Sequence, residues 1–176
     1  HSPSRKRRAN IAKYRQISFT LLADTSCWTI PNSDLLNTVK LDSFSFNKFT
    51  EKYANIYAID YSEHSLLKSL NEHGVQPEDV TDVIITHLHF DHCGGSIACK
   101  KDTGEYQPVF KNAVFHISSQ QWESATTPNQ REKASFLSEN FLPLKEHGEL
   151  QLAEEDTELC PEVSLHLFNG HTDGMI

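Results

Sequence analysis

The sequence predicts a layered α/β or α+β fold, and three patterns carry that expectation. Leu66, Leu67 and Leu70 form an apolar stripe at helical spacing, Val83-Ile84-Ile85 is an unbroken β-branched run, and Val163, Leu165 and Leu167 alternate with period two. Helical and strand patterns that alternate along one chain pack as layers around a shared core.

Taken in order, residues 1–16 are polar and basic and are expected to be a poorly ordered tail, with 17–176 forming a partial domain. The run Arg5-Lys6-Arg7-Arg8 reads as solvated tail rather than as a signal. Ile17 to Leu22 and Val39 to Phe46 are candidate strands, and Pro31-Asn32-Ser33-Asp34 is a turn or helix start. Ser65 can cap a helix through Leu70, with Gly74 as its C-terminal cap and Pro77-Glu78-Asp79 as the following turn. Val83 to Ile85 has the composition of a strand buried on both faces. Pro108 to Ile117 reads as a strand region and Ser119 to Glu123 as the start of a helix. Arg131 to Phe141 is predicted to be an amphipathic helix presenting Ala134, Phe136, Leu137 and Phe141, with Pro143 ending it. After the Val163–Leu167 strand, Gly170-His171-Thr172-Asp173-Gly174 reads as a turn.

Composition excludes several classes of function. A length of 176 residues suits one domain or a piece of a larger one. The formal net charge of −8 argues against a general nucleic-acid binder, which needs surplus Lys and Arg for phosphate contacts. No apolar run reaches the roughly 18 residues of a membrane span, and no secretory signal is seen at the start. Cys27, Cys93, Cys99 and Cys160 form no C-x-x-C pair and read as free thiols, which points to a reducing, cytoplasmic setting.

The chemistry concentrates at the end of the β-branched run. Four metal-capable side chains, His87, His89, Asp91 and His92, lie within six residues. In extended backbone His87 and His89 point to one side and can share an ion. Asp91 and His92 follow a bend and can reach a second ion beside it. Imidazole and carboxylate suit Zn²⁺, with Fe or Mn as alternatives. Burying so many polar groups is costly unless they are paired or bind a cation. Gly94 and Gly95 are expected to let the backbone turn tightly behind them. His171, in its Gly-flanked turn after a strand, is the natural third ligand of the first ion. His1, His64, His73, His116, His147 and His166 have no ligand spacing and read as surface or structural, with His116 and His166 the two able to face the site. Cys93 reads as packing behind the loop, and Trp28 and Trp122 as anchors in or near the core.

The stretch Thr86-His87-Leu88-His89-Phe90-Asp91-His92-Cys93-Gly94-Gly95 resembles the H-x-H-x-D-H signature of the metallo-β-lactamase fold hydrolases, and Gly170-His171-Thr172 resembles their later G-H-T element. The resemblance runs from about Glu51 to Ile176. Asp79-Val80-Thr81-Asp82-Val83, Pro108 to Ala113 and Glu139 to Pro143 look most like the lactonase-like branch, which includes N-acyl homoserine lactonases. It implies an αββα sandwich of two mixed sheets with helices outside and metals at one edge, of which this chain is the N-terminal part. It also implies that His87, His89 and His171 hold one metal and that Asp91 and His92 hold the other.

Three departures accompany the resemblance. The family adds a bridging Asp and a last His well after the G-H-T element, beyond Ile176. A D-T-G-like turn usually precedes the motif, whereas Asp42-Ser43-Phe44 and Asp24-Thr25-Ser26 both lack the Gly. Asp173 stands where many relatives have Pro.

The implied activity is hydrolysis of an ester, lactone or thioester by a metal-bound hydroxide, with Asp91 both ligating and orienting the nucleophile. Two ions about 3.5–4 Å apart would share a water whose pKa falls towards roughly 7. The expected partner is a small-molecule ester or lactone, with no nucleic acid, no membrane and no oligomeric state implied. A glyoxalase-II-like thioesterase, a metallo-nuclease and a non-catalytic metal-binding fragment stay open as alternatives.

Overall fold

The computed structural model describes the backbone of Phe19–Ala23 and Ser26–Thr29, and residues 66–72, 74–147, 149–160 and 163–176. The basic tail, Val39 to Phe46, the Pro31 turn, Ser65 and the Asp24 and Asp42 motifs lie outside the described residues. So does the start of the proposed 17–176 domain.

Among the described residues the main sheet has five strands in the order β2-β1-β3-β6-β7. These are β1 (Phe19–Ala23), β2 (Ser26–Thr29), β3 (Asp82–Ile85), β6 (Val114–Ser118) and β7 (Glu149–Ala153). Strand β1 pairs antiparallel with β2 and β3, whereas β3 to β6 and β6 to β7 are parallel. Parallel neighbours need long crossovers. The second crossover carries α3 (Ser119–Thr126) and α4 (Leu142–His147), which pack against β6 and β7. Among the described residues two hairpins stand beside this sheet, β4 (Ile97–Cys99) with β5 (Tyr106–Pro108) and β8 (Thr157–Cys160) with β9 (Val163–Leu165).

Local sequence explains the main elements. Helix α1 (Leu66–Glu72) ends in a Schellman motif: the Gly74 N–H reaches Asn71 O and the Val75 N–H reaches Leu70 O, both at 2.9 Å. Gly74 is the residue that can take the required φ of 71° without a steric penalty. Leu70 and Val75 then meet in the core. On β3, Val83, Ile84 and Ile85 are all buried, as their β-branched run predicts. Alternation sends Val83 and Ile85 to the core face with Phe115 and Ile117 of β6, where Leu66, Leu70, Phe110, Phe141 and Leu144 join them. Each such side chain contributes roughly 1.5–3 kcal/mol by leaving water.

Three expectations are corrected. Residues 131–141 form no α-helix; they make two 3₁₀ turns, Lys133–Ser135 and Ser138–Asn140. Phe136 and Phe141 are buried without an α-helix to carry them. Ser135, Ser138 and Asn140 favour turns because their side chains compete for the backbone. Pro143 does not end a helix; it sits in the first turn of α4, where its missing N–H has no intrahelical partner to lose. The region Pro108 to Ile117 is split by the turn at Phe110 to Ala113, so that β5 and β6 belong to different sheets. Among the described residues no helix is long and apolar enough to cross a membrane.

Candidate metal centre

The site lies at the C-terminal ends of β3 and β6, the side of an open α/β sheet on which ligands bind. Past Ile85 the chain bends at Thr86, and His89 has extended backbone angles of φ −62° and ψ 141°. Leu88 is fully buried in the core, so alternation turns His87 and His89 to the other side. Both imidazoles are nevertheless buried, at 3% and 6% exposure, with ring centroids 4.9 Å apart.

His171 reaches the same place from the far end of the chain. Phe168 and Met175 pair as an isolated bridge around the 170–174 turn, and the Ile176 N–H donates to Thr86 O at 3.0 Å. Gly174 makes the turn possible twice over. Its φ is 72°, and a Cβ there would stand 2.7 Å from the Gln121 nitrogen. The His171 ring lies 5.3 Å from that of His87 and 4.9 Å from that of His89, and its Nε2 is 3.1 Å from His89 Nδ1. One ring nitrogen from each of His87, His89 and His171 lies within 4.8 Å of the others.

Electrostatics prepare these groups for a cation. Burial first, and then the neighbouring His92, His89 and His171 imidazoles, push the His87 pKa down to about 3. Burial and His171 likewise lower His89. Both rings are therefore neutral near pH 7, the form that binds metal. His87 Nδ1 is 3.2 Å from Thr86 Oγ1, and its buried Nε2 has no hydrogen-bond partner. His89 Nε2 is also buried without one, and Glu132 Oε1 at 3.9 Å is too distant for a hydrogen bond. An unsatisfied buried polar atom costs about 1–3 kcal/mol. A donor set of imidazoles with orphaned nitrogens fits a bound Zn²⁺-like ion.

Asp91 and His92 are placed differently. They lie half-buried on the single helical turn α2 (Phe90–Cys93), which begins directly after His89. Asp91 Oδ2 is 3.3 Å from His92 Nε2, and the His92 ring is 4.0 Å from that of His87. The pair stands beside the three-imidazole cluster rather than within it. Gly94 has φ −57°, a conformation any residue adopts, so the turn behind the ligands does not use glycine's freedom there. Neither His116 nor His166 faces the site. His116 Nε2 meets Asp82 Oδ1 at 2.7 Å, and exposed His166 meets Asp156 at 2.8 Å. Cys93 is buried in the core with its thiol towards Leu88 O, and Trp122 packs edge-on against Phe141.

Two residues at the site went unread in the sequence. Gln121 is buried between the two ligand loops, and Glu132 lies behind His89. Burial works to raise the Glu132 carboxyl, but hydrogen bonds with Thr172 and Asn129, together with the charges of His89 and Arg131, hold the group below its ordinary value. Their contacts with the histidine loops cross the fold, so no local pattern marks that role in either residue.

The arrangement has known counterparts. Residues 41–174 match the family model of the metallo-beta-lactamase superfamily. This chain belongs to the metallo-β-lactamase superfamily. An N-acyl homoserine lactonase of Bacillus thuringiensis is 29% identical over 112 residues, which is 64% of this chain and 37% of that protein. A probable metallo-hydrolase of Methanocaldococcus jannaschii is 37% identical over 60 residues, 34% of this chain and 24% of that one. A probable metal-dependent hydrolase from Staphylococcus aureus superposes with a TM-score of 0.62 at 25% identity, covering 75% of this chain and 45% of the other. AidC, a dizinc quorum-quenching lactonase, superposes at 0.52 and 24% identity over 65% of this chain and 42% of AidC, a likeness of fold alone. The chain thus matches less than half the length of each of these proteins.

Proposed function

We propose that His87, His89 and His171 hold the first cation of a hydrolase centre, that Asp91 and His92 contribute to a second, and that the complete protein hydrolyses a lactone or related ester. One observation carries this reading: three imidazoles, two of them 82 residues apart in sequence, bring their nitrogens into one cluster. Two nitrogens on one tetrahedral Zn²⁺ stand about 3.3 Å apart, close to the 3.1 Å between His89 Nδ1 and His171 Nε2. His87 would offer Nε2. His89 would offer Nδ1, leaving its Nε2–H directed at Glu132, the place an outer carboxylate takes behind a metal-bound imidazole. Zn²⁺ is the preferred ion on this donor set, with Fe or Mn as alternatives.

A bound divalent ion supplies Lewis acidity towards a carbonyl oxygen and lowers the pKa of a coordinated water to about 7. The chain's own residues supply the rest. Asp91, in contact with His92, would accept a hydrogen bond from the attacking water and so orient it. Neutral His87 and His89 keep their lone pairs at working pH. The kinship with lactonases supports a small cyclic ester as substrate.

The test is metal content by mass spectrometry together with hydrolysis of acyl homoserine lactones, followed by proton release. Two ions and lactone turnover are expected of the complete protein, and His89→Ala or Asp91→Ala should abolish turnover. Unchanged rates in those variants at full metal load would sink the assignment. Faster turnover of thioesters than of lactones would favour a thioesterase, and one ion without turnover a metal-binding role alone.

A further inference from the structure

The loops bearing His87, His89 and His171 are joined by a side chain from a third element. Gln121, fully buried in the first turn of α3, accepts the Leu88 N–H on Oε1 at 3.0 Å. Its Nε2 donates to the Asp173 carbonyl at 2.5 Å and to Thr172 Oγ1 at 3.3 Å. Leu88 lies between His87 and His89, and Thr172 follows His171. The orientation of the amide is dictated by its partners, because a backbone N–H only donates and a carbonyl only accepts.

Gln121 is itself anchored. Its N–H donates to Ser118 Oγ at 2.9 Å, and the Ser118 hydroxyl donates to the Gly174 carbonyl. Ser118 and Gln121 have the S-x-x-Q spacing of a capping box, in which the Gln side chain would turn back to the Ser118 N–H. Here that side chain is used on the two loops instead. Glu at this position would keep the acceptor and lose both donors, and Met would keep the volume and lose all three contacts.

We propose that Gln121 is a positioning residue whose single amide fixes the separation of the His87–His89 loop from the His171 loop. Its bearing on metal affinity rests on the metal reading above; its role in holding the loops together does not.

The experiment compares wild type, Gln121→Glu and a core control, Phe115→Leu, each verified as folded by circular dichroism. Amide hydrogen exchange is followed on metal-free protein, and Co²⁺ is titrated by its visible spectrum with His171→Ala as reference. Gln121→Glu should speed exchange in both 86–90 and 170–174 and leave 114–117 unchanged. Its Co²⁺ affinity should fall about 10–100-fold, as for loss of an outer-sphere partner, and its spectrum should move towards that of His171→Ala. The control should keep the wild-type affinity and spectrum. Wild-type exchange in both loops, or an equal affinity loss in the control, would overturn the proposal. If wild type takes up no Co²⁺, the metal reading fails and the exchange comparison still decides the role of Gln121. If Gln121→Glu does not fold, Gln121→Met is judged by the same criteria.

Discussion

His116 and His87 are buried to nearly the same degree on neighbouring strand segments, yet their surroundings differ in kind. His116 has its partner in place, with Asp82 Oδ1 at 2.7 Å from Nε2. The Nε2 of His87 is buried with no hydrogen-bond partner, and its ring faces three other imidazoles. A histidine that serves the fold is completed by the fold. The His87 cluster has no such internal partner, and the proposed cation is what would complete it.

The largest effect that would sharpen this contrast is on metal affinity. Replacing His87 or His171 with Ala should weaken the first ion by more than about 100-fold, beyond the loss from an outer-sphere partner. Co²⁺ titration reads this directly, and undiminished binding would break the comparison. His116→Ala should do the reverse. It should lower stability by about 2 kcal/mol through the lost hydrogen bond and packing, seen as a lower urea midpoint, while leaving metal affinity unchanged.

Proton linkage should separate the two settings in metal-free protein. His87 is held at about 3 in the fold and returns to its ordinary 6.5 on unfolding. Between those values the unfolded chain binds the proton and the folded chain does not. Stability should therefore fall with pH below 6.5, by on the order of 2 kcal/mol from pH 7.5 to pH 5. His87→Gln should flatten that slope in urea titrations; an unaltered slope would count against a neutral, desolvated ring. The smallest effect belongs to the exposed His166–Asp156 pair on the β8–β9 side. His166→Ala should leave the urea midpoint unmoved, because exposed ion pairs contribute little.

The same contrast explains what could be read from the residues in order. The run Val83 to Ile85, the Gly74 cap and the Gly170–Gly174 turn are local chemistry, and the structure places each where its pattern predicts. The spacing of His87 and His89 is local too, and so marks a shared face. The stretch 131–141 misled because Ala134, Phe136, Leu137 and Phe141 satisfy a helical stripe while irregular turns bury two of them equally well. Strand β7 was overlooked. Leu150 and Leu152 alternate with polar neighbours at the edge of the sheet, and Leu152 is 38% exposed. Gln121 and Glu132 act across the fold, and nothing beside them in sequence announces it.

The separation of 82 residues between His89 and His171 sets an order of events. At about 5–20 residues per second of synthesis, His171 is made roughly 4–16 s after His89. Until then the nascent chain carries two of the three clustered imidazoles, and the 170–176 segment must find Thr86 and Gln121 before the third is in place. An ion captured by all three imidazoles therefore certifies that the last strand-end contact has formed. Because such an ion would bind the state with the His171 loop docked and not states without it, metal supply would act as a thermodynamic ratchet on that docking.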